Sequence, residues 1–187
     1  MSSWNVVALQ DVAASPWKNG GGVTRELAVW PAVGDWSWRM SVAEVDQSGP
    51  FSRFDGIDRW FAVIDGAGVQ LDMAGKNYFL TSVNAPFCFD GAASVDCQLL
   101  AGKTVDFNLM VRRNSASGHM QRVSGGFESM VGATKVIAIY AGNIWASVKF
   151  DGKKLHLPPA SLAWRQISTP TLVSLTAGDV LWMEISL

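Results

Sequence analysis

Cysteine and histidine are scarce in this 187-residue chain, with two of each. These shortages exclude several kinds of chemistry. Cys88 and Cys97 cannot build a disulfide framework, and no Cys-x-x-Cys is present. They read as small buried hydrophobes. A catalytic metal needs about three His, Cys or carboxylate ligands converging on one point. His119 and His156 form no His-x-His pair, and Asp55, Asp58 and Asp65 read as turn residues, so neither a metal nor any other cofactor is expected. His156, on an alternating strand, reads as a surface histidine. Ser-His-Asp or Cys-His catalysis would need one of the same two histidines, and there is no Gly-x-Ser-x-Gly elbow.

Charge of one sign is also lacking. Fifteen Lys and Arg stand against 16 Asp and Glu, a net charge of −1. No global field favours nucleic acid or an anionic membrane. Met1 to Gln10 has no basic leader region, and no apolar run reaches the ~18 residues of a membrane span. The expectation is a cytoplasmic protein. Long amphipathic helix patterns are missing too.

The chain is instead 49% apolar and 17% charged, with nine Trp and 18 Gly. Short apolar runs recur every ~8–12 residues and break at Gly, Pro, Asn or Asp, which reads as an all-β sandwich or barrel with few short helices. Val6 to Leu9, Val23 to Trp30, Trp36 to Val45 and Arg59 to Asp65 read as strands. On Val23 to Trp30, alternation places Val23, Arg25, Leu27 and Val29 on one face. Arg39, Ser41, Ala43 and Val45 share a face of the next strand, and its two-sided apolar pattern implies burial on both sides. Asp106, Asn108 and Met110 share a face opposite Phe107 and Leu109. Arg112 to Gly126 is polar and reads as a linker, with a short helical turn at Ser129 to Val131.

Turn glycines recur in register. Gly66 and Gly142, Gly75 and Gly152, and Gly102 and Gly178 are offset by 76 or 77 positions. This implies an internal duplication. We assign residues 1–113 to a first unit and 114–187 to a second, packed as one globular unit.

The richest stretch is Pro16-Trp17-Lys18-Asn19-Gly20-Gly21-Gly22-Val23-Thr24-Arg25-Glu26-Leu27. Three glycines in a row suit close approach by a ligand or another backbone, with free N–H groups outward. A strand rather than a helix follows, so this is not a phosphate loop. Lys18 and Arg25 flank the loop, and a guanidinium on an apolar face needs a carboxylate, either internal or from a ligand. The internal candidates for Arg25 are Glu44 and Asp106. Arg39 has small neighbours, and Arg59 follows an aromatic loop containing Phe51 and Phe54. A pocket for a small anion emerges, formed by Lys18, Asn19, Gly20, Gly21, Thr24, Arg25, Arg39, Ser41, Phe51, Arg59 and Asn108. No catalytic residue is assigned. The enzymatic alternative is a metal-independent isomerase or hydrolase using Glu26 or Glu44 as base. Exposed Trp residues leave room for a homodimer.

The Pro16–Leu27 stretch resembles the signature of the HutD/Ves family. So do Trp38-Arg39-Met40-Ser41-Val42-Ala43-Glu44-Val45, Gly49 through Arg59, Pro86-Phe87 through Phe89-Asp90-Gly91, and Asp106-Phe107-Asn108-Leu109-Met110. The likeness is specific from Trp4 to about Arg113 and looser to Leu187. It implies a bicupin, two tandem cupin-like antiparallel barrels, without the His-x-His and Glu metal motif of ordinary cupins. It implies a role as modulator of bacterial histidine utilisation, with a carboxylate intermediate such as urocanate or formylglutamate as ligand. The Ves branch implies a stress or cold response instead.

Overall fold

The computed structural model describes residues 3–187. It divides into two compact units, one of Ala13–Ser115 and one of the residues up to Val12 with Ala116–Leu187.

The first unit contains β2 (Ser15–Pro16), β3 (Gly22–Trp30), β4 (Trp38–Val45), β5 (Gly49–Pro50), β6 (Ile57–Gly66), β7 (Val69–Met73), β8 (Lys76–Leu80), β9 (Phe87–Asp90), β10 (Val95–Leu99) and β11 (Thr104–Arg112). They form a six-stranded sheet of order β2-β3-β4-β11-β6-β9 and a four-stranded sheet of order β5-β10-β7-β8. Phe61 and Val63 of β6, Leu71 of β7, Leu80 of β8, Phe89 of β9 and Cys97 of β10 meet in one apolar core. Alternation explains the division of side chains: Phe61 and Val63 of β6, Val69, Leu71 and Met73 of β7, and Val95 and Cys97 of β10 are apolar, buried and two positions apart, while Arg59 is the charged member of the buried set on β6. Both faces of β4 are buried, as its two-sided apolar pattern requires.

The second unit contains β1 (Asn5–Ala8), a single 3-10 turn (Leu9–Asp11), β12 (Ser117–Ser124), β13 (Phe127–Val131), β14 (Lys135–Ala141), β15 (Ala146–Phe150), β16 (Lys153–Leu157), β17 (Ser161–Ile167), β18 (Thr171–Ala177) and β19 (Asp179–Ser186). Its sheets run β1-β17-β14-β19-β12 and β13-β18-β15-β16. Trp182, Ile137, Ile139, Val148 and Leu157 are at the centre of its core.

The duplication predicted from glycines is visible in the strand orders. β4-β11-β6-β9 in one unit corresponds to β12-β19-β14-β17 in the other, and β5-β10-β7-β8 to β13-β18-β15-β16. Each unit adds its own extra strands, β2 and β3 in the first and β1 in the second.

Several expectations need correction. The polar stretch 112–126 is not a linker: β12 is the counterpart of β4 and pairs with β19 throughout. The turn at 129–131 is strand β13, paired with β18. The boundary at 113/114 misplaces the chain's start, because β1 pairs with β17 of the second unit. Cys97 is buried but Cys88 is exposed, on strand β9 at the sheet edge. The alternation assumed for β3 fails at Leu27, where a bulge shifts the register between Glu26 and Ala28. No helix among the described residues is long and apolar enough to cross a membrane.

Candidate functional site

The six-stranded sheet of the first unit carries a cavity of about 450 Å³. Its floor comes from adjacent strands in register. Arg39 is opposite Met110, Ser41 opposite Asn108, and Ala43 opposite Asp106. Arg59 is opposite Met110 from the other side. Strand alternation puts all of these on one face. Ser41 and Ala43 are small, which leaves the space that bulkier residues would fill.

One wall is the segment Pro16–Asn19, and another is the loop Pro50–Phe54. The Trp17 indole N–H donates to Thr24 Oγ1 at 2.7 Å, which pins the ring at the cavity edge. The aromatic loop is tied down by two backbone bonds, Phe51 N–H to Val95 O at 3.0 Å and Phe54 N–H to Gly91 O at 2.7 Å.

Arg59 is buried, at 6% exposure, and is caged by aromatic rings. Its guanidinium carbon lies 5.2 Å from the Phe51 ring centre, 5.6 Å from Phe54 and 5.1 Å from Phe89. Such cation–π contacts offset part of the cost of desolvating the charge. Burial still pulls its pKa down to about 10, opposed by the charge of Asp106. Arg59 donates to Ser52 O at 3.3 Å and to Asn108 Oδ1 at 3.1 Å. Asn108 Nδ2 donates to Asp106 Oδ1 at 2.5 Å. Asp106 is 1% exposed, and its Oδ2 has no hydrogen-bond partner. Burial pushes its pKa up to about 7, against the opposing pull of Arg59 and Asn108.

Arg39 is more open, with its side chain 22% exposed. Its Nε lies 2.8 Å from Glu26 Oε2, yet that N–H makes no hydrogen bond, so the contact is an ion pair without alignment. Lys18 and Asn19 are exposed at the cavity's edge.

Of the residues expected at the site, Lys18, Asn19, Thr24, Arg39, Ser41, Phe51, Arg59 and Asn108 line the cavity. Gly20, Gly21 and Arg25 do not. Arg25 is opposite Val42, on the other face of the sheet, where its guanidinium pairs with Glu44 at 3.5 Å. Lys103 also bonds Glu44, and this bond is the main cause holding the Glu44 carboxyl below its usual range. The glycine amides are not offered to a ligand either. The Gly20 N–H donates to Trp17 O at 3.0 Å, and the Gly21 N–H to Asn19 Oδ1 at 3.1 Å. The triplet serves the backbone. Gly20 has φ +71°, and a Cβ on Gly22 would stand 2.3 Å from Glu44 O.

Glu26 and Glu44 face opposite sides of the sheet, since Glu26 is in register with Ser41 and Glu44 with Val23. A substrate in the cavity therefore faces the side that carries Glu26 and not the side that carries Glu44. Sequence reasoning missed Asp106 as a cavity residue, treating it only as a partner for Arg25. Its signal was the pair of polar residues, Asp106 and Asn108, on one face of an otherwise apolar strand. Pro16, Trp17, Ala43, Pro50, Ser52, Phe54 and Met110 were also outside the expected set.

The floor does not suit a metal ion. It presents two guanidinium cations to one carboxylate, and among the described residues no three His, Cys, Asp or Glu side chains are grouped to hold one.

The HutD family model matches residues 9–183. The chain belongs to the HutD family. It is 31% identical over 158 residues to an uncharacterised 21.2 kDa protein of the hutC 3′ region of Pseudomonas putida, covering 83% of each chain. It is also 31% identical over 172 residues to protein Ves of Cronobacter sakazakii, covering 91% of this chain and 92% of that one. The solved structure of HutD from Pseudomonas fluorescens SBW25 is similar throughout, at 30% identity, 98% coverage of both chains and a TM-score of 0.86. A cupin 2 conserved barrel domain protein of Leptotrichia buccalis shares the fold alone, at 7% identity, 98% and 96% coverage and a TM-score of 0.62. This HutD-family chain is therefore a cupin-fold protein, and its repeated strand order makes it a bicupin.

Proposed function

We propose that the first unit of this HutD-family protein binds a small carboxylate metabolite, and that the protein modulates histidine utilisation by binding rather than by catalysing a step. The observation that carries this reading is Arg39. Its guanidinium is partly open on a cavity whose edge carries Lys18, and its single ion-pair partner among the described residues, Glu26, is poorly aligned. A guanidinium in that state is a ready partner for a ligand carboxylate. Arg59, caged and already bonded, sets a positive background rather than offering a free fork. The half-aromatic wall of Trp17, Phe51 and Phe54 suits a flat, unsaturated acid. The names of the relatives support the metabolic setting: one lies in a hutC 3′ region and another is itself called HutD.

Urocanate and formylglutamate are the acids to try. Isothermal calorimetry with wild type and Arg39→Ala should show binding that weakens by about 1.5–3 kcal/mol in the variant, the usual worth of a hydrogen bond to a charged group. Affinities weaker than millimolar for both acids would sink the carboxylate reading.

A further inference from the structure

The inference rests on the carboxylate reading and adds a second recognition point to the same cavity. Arg59 and Asp106 are both buried, yet no ion pair joins them among the described residues. Asn108 stands between. A guanidinium can only donate, so Arg59 fixes the amide with Oδ1 toward itself. The Asn108 nitrogen is then obliged to face Asp106, where it occupies Oδ1. Asp106 Oδ2 is left buried without a donor. An unsatisfied buried oxygen is costly, and it calls for an explanation.

The second unit shows the same positions with the demand removed. By strand register, Asp106 corresponds to Trp182, Asn108 to Glu184 and Arg59 to Lys135: each trio is paired through β11 and β6 in one unit, and β19 and β14 in the other. Trp182 is fully buried and fills its core. Glu184 accepts from Lys135 at 2.8 Å, from Ser129 at 2.9 Å and from the Trp182 indole at 3.3 Å. At these positions the Trp182 ring fills the space and the Glu184 carboxylate is fully engaged. The first unit keeps a cavity and an unanswered acceptor.

We propose that Asp106 Oδ2 accepts a hydrogen bond from the ligand, so the site selects flat small molecules bearing a carboxylate for Arg39 and an N–H or O–H donor for Asp106. Imidazole and secondary amide groups have this chemistry; simple aromatic acids lack it. Asp106 is thus a specificity-determining residue, and Asn108 positions it.

The test compares two acids of near-identical shape by calorimetry at about pH 8, where Asp106 has released its proton and Oδ2 is an acceptor: urocanate, whose imidazole carries an N–H, and 3-(furan-2-yl)acrylate, whose ring has none. Wild type should bind the imidazole acid roughly 10–100-fold more tightly, since a buried acceptor left unpaired by the furan is penalised. In Asp106→Asn the new amide's oxygen meets Asn108, and its NH2 group stands where Oδ2 stood. The preference should then vanish or reverse. Equal wild-type affinities, or a tighter furan acid, overturn the Asp106 proposal and leave the carboxylate reading intact. If neither acid binds, the Asp106 proposal falls, and the carboxylate reading then stands or falls on formylglutamate. Should Asp106→Asn fail to fold by circular dichroism, the wild-type comparison decides alone.

Discussion

Arg25 and Arg39 are carried by neighbouring strands but project from opposite faces of one sheet. Arg25 is opposite Val42 and pairs with Glu44, while Arg39 lines the cavity beside Ser41. Substituting Arg25 therefore separates a structural role from a binding one. Arg25→Ala should leave affinity for the carboxylate ligand unchanged in calorimetry. It should cost no more than about 1 kcal/mol of stability in urea titration, because its ion pair is partly exposed and Lys103 remains on Glu44.

The glycine triplet offers a test of packing at adjacent positions. Gly22→Ala drives a Cβ to 2.3 Å from the Glu44 carbonyl oxygen, a backbone atom that cannot swing aside. Strands β3 and β4 must then part, at a cost of roughly 1–3 kcal/mol. Gly21→Ala meets only the Asn19 side chain, at 3.4 Å. Its melting temperature should stay near that of the wild type, while that of Gly22→Ala drops by several degrees.

Trp182→Ala empties the centre of the second core. A fully buried Trp replaced by Ala costs about 3–5 kcal/mol. Chemical denaturation would read this directly. Trp17→Ala, on a half-buried ring at the cavity edge, should instead weaken ligand binding with a smaller stability loss.

The pH dependence has a definite sign at Asp106. Unfolded, an aspartate titrates near about 3.9; folded, burial raises this one to about 7. Between those values the folded state holds a proton that the unfolded state has released, so stability falls as pH rises across the window. Below about pH 4 the penalty is absent, and above pH 7 it is complete. Asp106→Asn has no such proton to lose. Its stability relative to wild type should therefore improve from pH 4 to pH 8 in paired urea titrations, and a constant difference would refute the shift.

Much of the fold was legible because β-structure leaves a period of two and a signature at turns. The offset glycines gave the repeat, and the alternation of β4 and β11 put Arg39, Ser41 and Asn108 on one face. Thr24 and Arg25 are both expected at the site, yet neighbours on a strand face opposite sides, and the register puts Thr24 beside Ala43 on the cavity face and Arg25 beside Val42 on the other. Reading Leu27 as a partner of Arg25 hid the bulge, an inserted residue that no periodicity announces. The stretch 112–126 reads as a linker because Ser117, His119, Gln121 and Ser124 make it polar, yet Met120 and Val123 are buried in β12. Asp106 escaped because a lone acid in a strand reads as a structural partner. Only the arrangement around Asn108 shows that one of its oxygens goes without.

The contrast between Asp106 and Trp182 also bears on what genetic variation in this chain will look like. Duplicated halves with one filled centre and one open centre divide the consequences of a substitution. Changes around Trp182 will register as lost abundance in the cell, because a destabilised core is cleared by proteases. Changes around Asp106 and Arg39 will leave the amount of protein intact and alter what it responds to. A mutational scan scored for both quantities should thus sort the two cores into separate phenotypes, although their strand orders repeat.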